Sequence, residues 1–173
     1  MSNQSLAALA QRIALHIESL VPPQGRARCL DIGCGDMQLA ETIQARKLRT
    51  DWCCIDVHGV PPERRDDTRW QKYRRFDGHT IPYGDDEFDV ALLCDALHHA
   101  PEDAARLLAE AGRVARHVLV KDQFTREGFA RLATEQRLVI TALDSGLDLD
   151  EDLPAVGMLR RPDWQFIAVL RAT

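Results

Sequence analysis

The stretch Cys29-Leu30-Asp31-Ile32-Gly33-Cys34-Gly35-Asp36 decides the fold of this chain. A largely apolar run ends at its isoleucine, two glycines alternate after it, and Leu39, Ala40 and Ile43 then recur at helical spacing. This pattern predicts a buried strand, a tight glycine turn and the start of a helix. Glycine is needed twice because the backbone must turn sharply and let a ligand approach closely. Since a helix start presents free N–H groups, we interpret the turn as a site for a nucleotide-type cofactor.

The spacing of the glycines distinguishes between two cofactor classes. A dinucleotide fingerprint, G-x-G-x-x-G, would require a third glycine where this chain has Gln38. Instead, Asp31-x-Gly33-x-Gly35 resembles motif I of the class I S-adenosylmethionine-dependent methyltransferases. In that family the acid meets the methionine end of the cofactor, usually through water, and the glycines pass under it. The family usually carries one more glycine, at the position of Met37.

A second acid ends the next apolar run, Asp51-Trp52-Cys53-Cys54-Ile55-Asp56. Asp56 follows Gly35 at about the spacing at which an acid on a strand end reaches a ribose diol. A carboxylate suits this task because it can accept hydrogen bonds from both hydroxyls at once. The alternative is a helix or turn cap, and the strand context favours ribose binding.

Three further blocks are similar to the methyltransferase type 11 branch of the same family. Phe76-Asp77-Gly78 resembles the end of the family's third strand, where an acid takes the adenine amino group. The stretch 81–89 resembles its apolar-proline-aromatic turn, and the buried strand Val90–Cys94 follows. Asp95-Ala96-Leu97-His98-His99-Ala100-Pro101 resembles the segment that holds the methyl donor. The blocks keep the family's order and separations, so the resemblance covers nearly the whole chain.

The resemblance implies that S-adenosylmethionine is the cofactor and S-adenosylhomocysteine the product. It implies cofactor contacts from Asp31, Gly33, Cys34, Gly35, Asp56, Val57, Asp77, Gly78, Cys94, Asp95 and His99. His98 and His99 follow the fourth strand, where donor and acceptor should meet. Either is a candidate catalytic base, and the alternative is that both pack beside the adenosine. Adjacent histidines seldom point at one ion, so we assign no metal to Asp95, His98 and His99. Lys121-Asp122 either faces the pocket or takes part in a structural ion pair.

Strands and helices alternate along the rest of the chain. An amphipathic helix through Leu6, Leu9, Ile13, Ile17 and Leu20, ended by Pro22-Pro23, either covers the sheet or closes the cofactor site as a lid. Later patterns predict helices opening at Pro101 and spanning Thr125 to Gln136, and strands at 117–122, 138–143 and 164–170, the last two antiparallel. The expected fold is α/β, with a Rossmann-like, seven-stranded, mostly parallel sheet, helices on both faces and the last strand antiparallel. We expect one domain, with residues 1–24 as the N-terminal helix and 25–173 as the core.

Composition limits the partners. The net charge of −5 argues against a nucleic-acid partner, and acids dilute the arginine-rich connection at 61–75, which we interpret as a solvated face or substrate rim. The sequence contains no apolar run long enough for a signal peptide or a membrane span. Five cysteines without C-x-x-C spacing predict reduced thiols in a cytoplasmic protein.

One departure from the family concerns the acceptor pocket. Relatives usually carry an insertion after the fifth strand that helps to roof this pocket, whereas here Asp122 reaches Thr125 almost directly. The N-terminal helix or the second subunit of a homodimer would then have to supply the roof. We expect methyl transfer to an oxygen, nitrogen or carbon atom of a small or medium-sized acceptor. The alternatives are a cofactor-binding domain without catalysis, acting as a regulatory or partner subunit, and a methyltransferase for RNA or protein that uses the open face.

Overall fold

The computed structural model describes residues 3–21, 24–46, 49–60, 68–145 and 165–173. The helices are α1 (Asn3–Leu20), α2 (Gln38–Gln44), α3 (Ala104–Val114) and α4 (Arg126–Glu135). The strands are β1 (Ala27–Ile32), β2 (Thr50–Asp56), β3 (Tyr73–Arg75), β4 (Phe88–Cys94), β5 (Ala115–Gln123), β6 (Leu138–Ser145) and β7 (Gln165–Ala172). Two short 3-10 helices cover Thr68–Lys72 and Leu97–His99.

The strands form one seven-stranded sheet in the order β3-β2-β1-β4-β5-β7-β6. Neighbouring strands from β3 to β5 pair in parallel. β7 runs antiparallel to both β5 and β6. The predicted fold class is therefore confirmed. The strand order reverses between β1 and β4, and in open parallel sheets a ligand binds at the carboxyl ends of the strands beside such a reversal.

Helices cover both faces of the sheet, because the central strands are apolar on both sides. On one face, α3 and α4 bury Leu108 and Phe129 in a single cluster with Val118 of β5. On the other face, α1 and α2 share a second cluster, in which Ile13 and Ile17 of α1 are almost fully buried. These contacts place α1 against the sheet beside α2. A role of α1 as a lid remains a prediction.

Several element boundaries differ from the sequence expectation, among them those of the third helix and the third strand. The third helix begins at Ala104 rather than in a first turn at Pro101. The reason is a separate turn ahead of the helix, in which Asp103 N–H donates to the carbonyl oxygen of Ala100 at 3.0 Å. The first helical hydrogen bond follows it, from Leu107 N–H to the carbonyl oxygen of Asp103 at 2.9 Å. The third strand ends at Arg75, one residue before the block that resembles its end.

The link between β5 and α4 is as short as expected. β5 ends at Gln123 and α4 begins at Arg126. Thr125 caps the helix, because its hydroxyl accepts the N–H of Gly128 at 3.1 Å. Among the described residues, no helix is long and apolar enough to cross a membrane.

Some expectations fall outside the described residues. These are the helix stop at Pro22-Pro23, the connection at 61–67 and the loop at 146–163 with Asp148, Asp150, Glu151 and Asp152. Trp164, the expected first residue of the last strand, is also outside them.

Arg113, near the end of α3, holds the turn that leads into β4. Its guanidinium donates to the carbonyl oxygens of Ile81 and Tyr83 at 3.0 and 2.9 Å. It also forms two hydrogen bonds of 2.7 Å with the carboxylate of Glu110, and this pairing lowers the pKa of Glu110. The same carboxylate accepts the N–H of Ile81 at 2.9 Å, so one ion pair fixes both sides of the turn.

We predict that Arg113→Ala lowers the free energy of unfolding by about 2 kcal/mol, because carbonyls and a carboxylate lose their donor together. Arg116→Ala is the matched control, since Arg116 is two-thirds exposed and only reaches Asp89 at 3.5 Å. The control should change the unfolding free energy by less than about 0.5 kcal/mol. Urea unfolding followed by circular dichroism compares them, and equal effects would contradict this account.

Candidate functional site

The glycine turn after β1 has the backbone that the sequence predicts. Gly33 and Gly35 both have positive φ, 74° and 54°. A Cβ on Gly33 would lie 2.9 Å from the Cβ of Ala96, which belongs to the loop after β4. A Cβ on Gly35 would meet nothing within 4 Å, so the space beside it is open. The first glycine therefore allows two loops to approach, and the second leaves room for a ligand.

Met37, where the family usually has a glycine, also has a left-handed backbone with φ of 65°. This conformation is uncommon for a residue with a side chain. The side chain is nonetheless 3% exposed and packs in the cluster that includes Ile13 of α1. Buried apolar contact thus offsets the strain of a left-handed backbone at this position.

Asp56 fixes the turn from the end of β2. One carboxylate oxygen accepts the N–H of Gly35 at 2.9 Å, and the other accepts the N–H of His58 at 2.9 Å. The residue is 6% exposed. A carboxylate has about four acceptor positions, so these two bonds leave capacity on both oxygens for further donors.

Asp31, at the end of β1, is the least compensated acid of the site. It is 2% exposed, and its Oδ2 atom is buried without a hydrogen-bond partner among the described residues. Burial, together with the neighbouring charge of Asp56, raises the pKa of Asp31 to about 7. A buried polar atom without a partner is costly, so this oxygen suits contact with a ligand or a water held by one.

The residues expected at the adenine end lie around the ends of β2 and β3. Val57 is 43% exposed, an unusual position for an apolar side chain. A Cβ on Gly78, which has φ of 85°, would lie 3.1 Å from Cγ1 of Val57. Asp77 already accepts the N–H groups of His79 and Thr80 on one oxygen, both at 2.7 Å, and these bonds lower its pKa. Its second oxygen is the one left for a ligand.

The loop after β4 holds an ion pair that the sequence only partly indicated. Lys121 of β5 donates to both carboxylate oxygens of Asp95, at 2.6 and 2.8 Å. Asp95 itself has φ of 53° and donates its N–H to the carbonyl of Lys121 at 2.7 Å. Next to it, Cys94 is half-buried, and burial raises the pKa of its thiol. Cys34, on the glycine turn, is likewise a free thiol with a raised pKa, chiefly because it hydrogen-bonds with Cys54.

Asp122 is the residue that sequence reasoning failed to assign. It is fully buried, and its Oδ1 atom lies 2.7 Å from Nδ1 of His98. Lys121 and Asp122 are adjacent on β5 but contact different partners, Asp95 and His98 respectively. The signal in the sequence was the pair of charged residues at the end of an otherwise apolar strand.

Three of these side chains lie close enough to share a cation. Ligand atoms of Asp95, His98 and Asp122 fall within 4.8 Å of one another. This set differs from the one considered from the sequence, which had His99 in place of Asp122. Both oxygens of Asp95 already contact the ammonium of Lys121. A metal would have to displace that cation, so we derive no chemistry through one.

The raised pKa of Asp31 predicts a pH dependence of stability. The folded state keeps this proton up to about pH 7, whereas an unfolded aspartate loses it near pH 3.9, roughly. The unfolded state therefore binds fewer protons between these values, and stability falls as pH rises. The Asp31→Asn variant has no such proton. Relative to it, the unfolding free energy of the unmodified protein should fall by up to about 1.4 kcal/mol per pH unit and stop falling above about pH 7.

Urea unfolding of both forms between about pH 5 and 8, without ligand, measures this difference. A difference that stays constant over this range would contradict the account. The comparison is needed because other groups titrate in the same range in both forms.

Comparison with known proteins places this geometry in a family. The profile of the family described as "Methyltransferase domain" matches residues 30–118. A 27-O-demethylrifamycin SV methyltransferase from Amycolatopsis mediterranei is 29% identical over 118 residues, covering 60% of this chain and 43% of that protein.

Solved structures share the fold. A 1,6-didemethyltoxoflavin-N1-methyltransferase from Burkholderia thailandensis, with its substrate and S-adenosylhomocysteine bound, matches with a TM-score of 0.69 at 15% identity, over 98% of this chain and 78% of that one. The 4+2 cyclase SpnF matches with a TM-score of 0.63 at 21% identity, over 78% of this chain and 58% of that one.

The chain thus spans less than half of the rifamycin enzyme and more than half of the cyclase. The family match covers just over half of the 173 residues and runs from β1, which leads into the glycine turn, into β5. This chain belongs to the methyltransferase domain family that the sequence suggested, and it has that family's class I fold.

Proposed function

We propose that this chain is an S-adenosylmethionine-dependent methyltransferase that transfers a methyl group to an oxygen, nitrogen or carbon atom of a small or medium-sized acceptor. The observation that carries the proposal is the buried oxygen of Asp31, which has no hydrogen-bond partner in the described part of the chain, beside a turn where a Cβ on Gly35 would project into open space. Such a cradle fits the methionine end of the cofactor, and Asp56 keeps acceptor capacity for two ribose hydroxyls. Val57, Gly78 and the second oxygen of Asp77 would hold the adenine.

The cofactor, when bound, supplies a methyl group on a positively charged sulfur, which leaves as a neutral thioether. The protein has little bond chemistry to assist, so its task is to hold the acceptor in line and to exclude water. The glycine turn and the loop after β4 perform the first task together, because the close approach of Gly33 and Ala96 ties them to one another. Asp95, His98 and His99 belong to the same segment after β4 as Ala96.

A small-molecule acceptor is supported by the names of the relatives. The Amycolatopsis protein is named for 27-O-demethylrifamycin SV and the Burkholderia protein for 1,6-didemethyltoxoflavin, and both are small molecules. The short link between β5 and α4 leaves the acceptor side with little cover from this part of the chain. We therefore propose that α1 or a second subunit completes the pocket. Five free cysteines support a reducing compartment, and we propose the cytoplasm.

A cofactor-binding protein without methyl transfer is the second candidate. The similarity to a 4+2 cyclase favours it, because that protein's name shows that the fold also serves other chemistry. Turnover of S-adenosylmethionine to S-adenosylhomocysteine with any acceptor would exclude it. A methyltransferase for RNA or protein is less well supported, and binding to RNA that falls steeply with salt would favour it.

We predict that S-adenosylmethionine and S-adenosylhomocysteine stabilise the protein against heat, whereas NAD does not. At about a hundred times the dissociation constant a ligand adds roughly 2.7 kcal/mol of stability. In a domain of this size that energy raises the melting temperature by roughly 5 to 10 °C. Differential scanning fluorimetry with each ligand measures the shift.

Two variants locate the effect. Asp56→Ala should abolish the shift, because it removes the proposed ribose acceptor and the bond to Gly35 N–H. Asp51→Ala, on the same strand, should keep the shift, since Asp51 is half-exposed and pairs with Lys72. Absence of a shift with both sulfur compounds in the unmodified protein would overturn the proposed function.

A further inference from the structure

We propose that Asp122 is a positioning residue that makes His98, rather than His99, the general base, and that the acceptor of this chain is accordingly a hydroxyl group. This inference rests on the proposed function and narrows it. Neither the family match nor the names of the relatives assigns a role to Asp122. The proposal is carried by the geometry of two side chains that lie on different elements.

The contact between the two residues fixes the tautomer of His98. An ionised carboxylate can only accept hydrogen bonds. Because Oδ1 of Asp122 lies 2.7 Å from Nδ1 of His98, that nitrogen carries the hydrogen, and Nε2 is left with a free lone pair. The His98 side chain is 30% exposed, so this second nitrogen can be reached from outside the protein core.

Asp122 is itself held rigidly. Its second oxygen accepts the N–H of Leu97 at 2.8 Å, and its first also accepts the N–H of Gln123 at 2.7 Å. The side chain is fully buried. A buried carboxylate with few mobile partners stabilises a positive charge on its neighbour, which an imidazole acquires when it takes a proton. Asp122 therefore both orients the ring and favours its protonated form during the reaction.

The other charged groups nearby do not compete for this role. Lys121, which is adjacent on β5, and Asp95, on the loop after β4, neutralise each other through two short contacts. The ring of His99 stacks on that of His98, with ring centroids 4.1 Å apart. Among the described residues, no carboxylate hydrogen-bonds to the ring of His99. Of these two histidines in the described structure, His98 thus has the carboxylate partner that a general base needs.

A general base of this kind assists an acceptor that must lose a proton before it attacks the methyl group, and a hydroxyl group is the acceptor that we assign to it. A hydroxyl oxygen is a weak nucleophile until it loses its proton, so an imidazole near neutral pH assists it directly. A neutral amine already has a free lone pair, and its proton can leave after the methyl group has been transferred. A carboxylate acceptor is already ionised and needs no general base.

The step balances without a further reactant. The hydroxyl proton moves to Nε2 of His98 while the oxygen forms its bond to the methyl carbon. The carbon–sulfur bond breaks, and its electron pair stays on sulfur. The products are a methyl ether, S-adenosylhomocysteine and protonated His98, which returns its proton to water.

The first test is Asp122→Asn, with Asp89→Asn at the opposite end of β4 as control. An asparagine oxygen can still accept the N–H of Leu97, but its amide group faces Nδ1 of His98 as a donor and forces the hydrogen onto Nε2. Nitrogen-15 correlation spectra of the histidine rings should show this change of tautomer in Asp122→Asn and not in Asp89→Asn. An unchanged His98 tautomer would overturn the proposal.

The second test uses phenols of graded acidity, from 4-methoxyphenol to 4-nitrophenol, together with a primary amine and a 1,3-diketone, and labelled S-adenosylmethionine. The unmodified protein should form methyl ethers. Asp122→Asn should slow transfer to 4-methoxyphenol by roughly 10²- to 10⁴-fold. The loss should be much smaller for 4-nitrophenol, which is already largely ionised at mildly alkaline pH.

Other outcomes overturn the proposal. An equal loss of rate with every phenol would mean that Asp122 only supports the fold. Transfer to the amine or the diketone alone would refute the hydroxyl assignment. Transfer to none of the compounds, in a protein whose melting temperature the cofactor raises, would refute it as well. If the cofactor gives no thermal shift, the proposed function itself fails. His98→Asn should reproduce the acidity-dependent loss, and it answers the question if Asp122→Asn does not fold.

Discussion

The crowding of carboxylates at one edge of the sheet is the constraint on which the site depends. Parallel pairing brings the carboxyl ends of β1, β2, β4 and β5 together, and an aspartate lies within one residue of each of these ends: Asp31, Asp56, Asp95 and Asp122. Buried acids repel one another and lose hydration, so each must be compensated. Backbone N–H groups compensate Asp56, an ammonium compensates Asp95, and an imidazole with backbone N–H groups compensates Asp122. Among the described residues Asp31 has no such partner, and burial beside the charge of Asp56 raises its pKa.

Because the four aspartates have different partners, they have different roles in the site. The compensated acids act on the protein itself: Asp56 shapes the glycine turn, Asp95 anchors the loop after β4, and Asp122 orients a histidine. Under the proposed function, the uncompensated acid, Asp31, is the one whose charge and hydrogen bonds would change on ligand binding. Most groups of such a site are held in place before a ligand binds. The unfavourable free energy of the ligand-free site then falls mainly on one side chain, that of Asp31.

The local parts of the site were predictable from the sequence, and its cross-strand contacts were not. The turn through Gly33 and Gly35 follows from neighbouring residues, because positive φ and close approach are local demands. Met37 could not be predicted in this way, because its left-handed backbone is disfavoured for a methionine and is stabilised by packing in the cluster that includes Ile13 of α1. The pairing of His98 with Asp122 joins residues of different elements, and it depends on which face of β5 each side chain occupies. The start of the third helix was misplaced because Ala100 and Asp103 close a turn of their own.

The position of β7 in the sheet has a consequence for how the chain acquires its structure. β7 lies between β5 and β6 in space but follows both in sequence. During synthesis, β5 therefore presents an unpaired edge, and β6 has no partner of its own, until β7 has left the ribosome. Pairing between residues such as Val118 and Leu170 closes a long loop late, which slows folding of this half of the sheet. The half that carries the glycine turn pairs among earlier strands, so its pairing does not require β7.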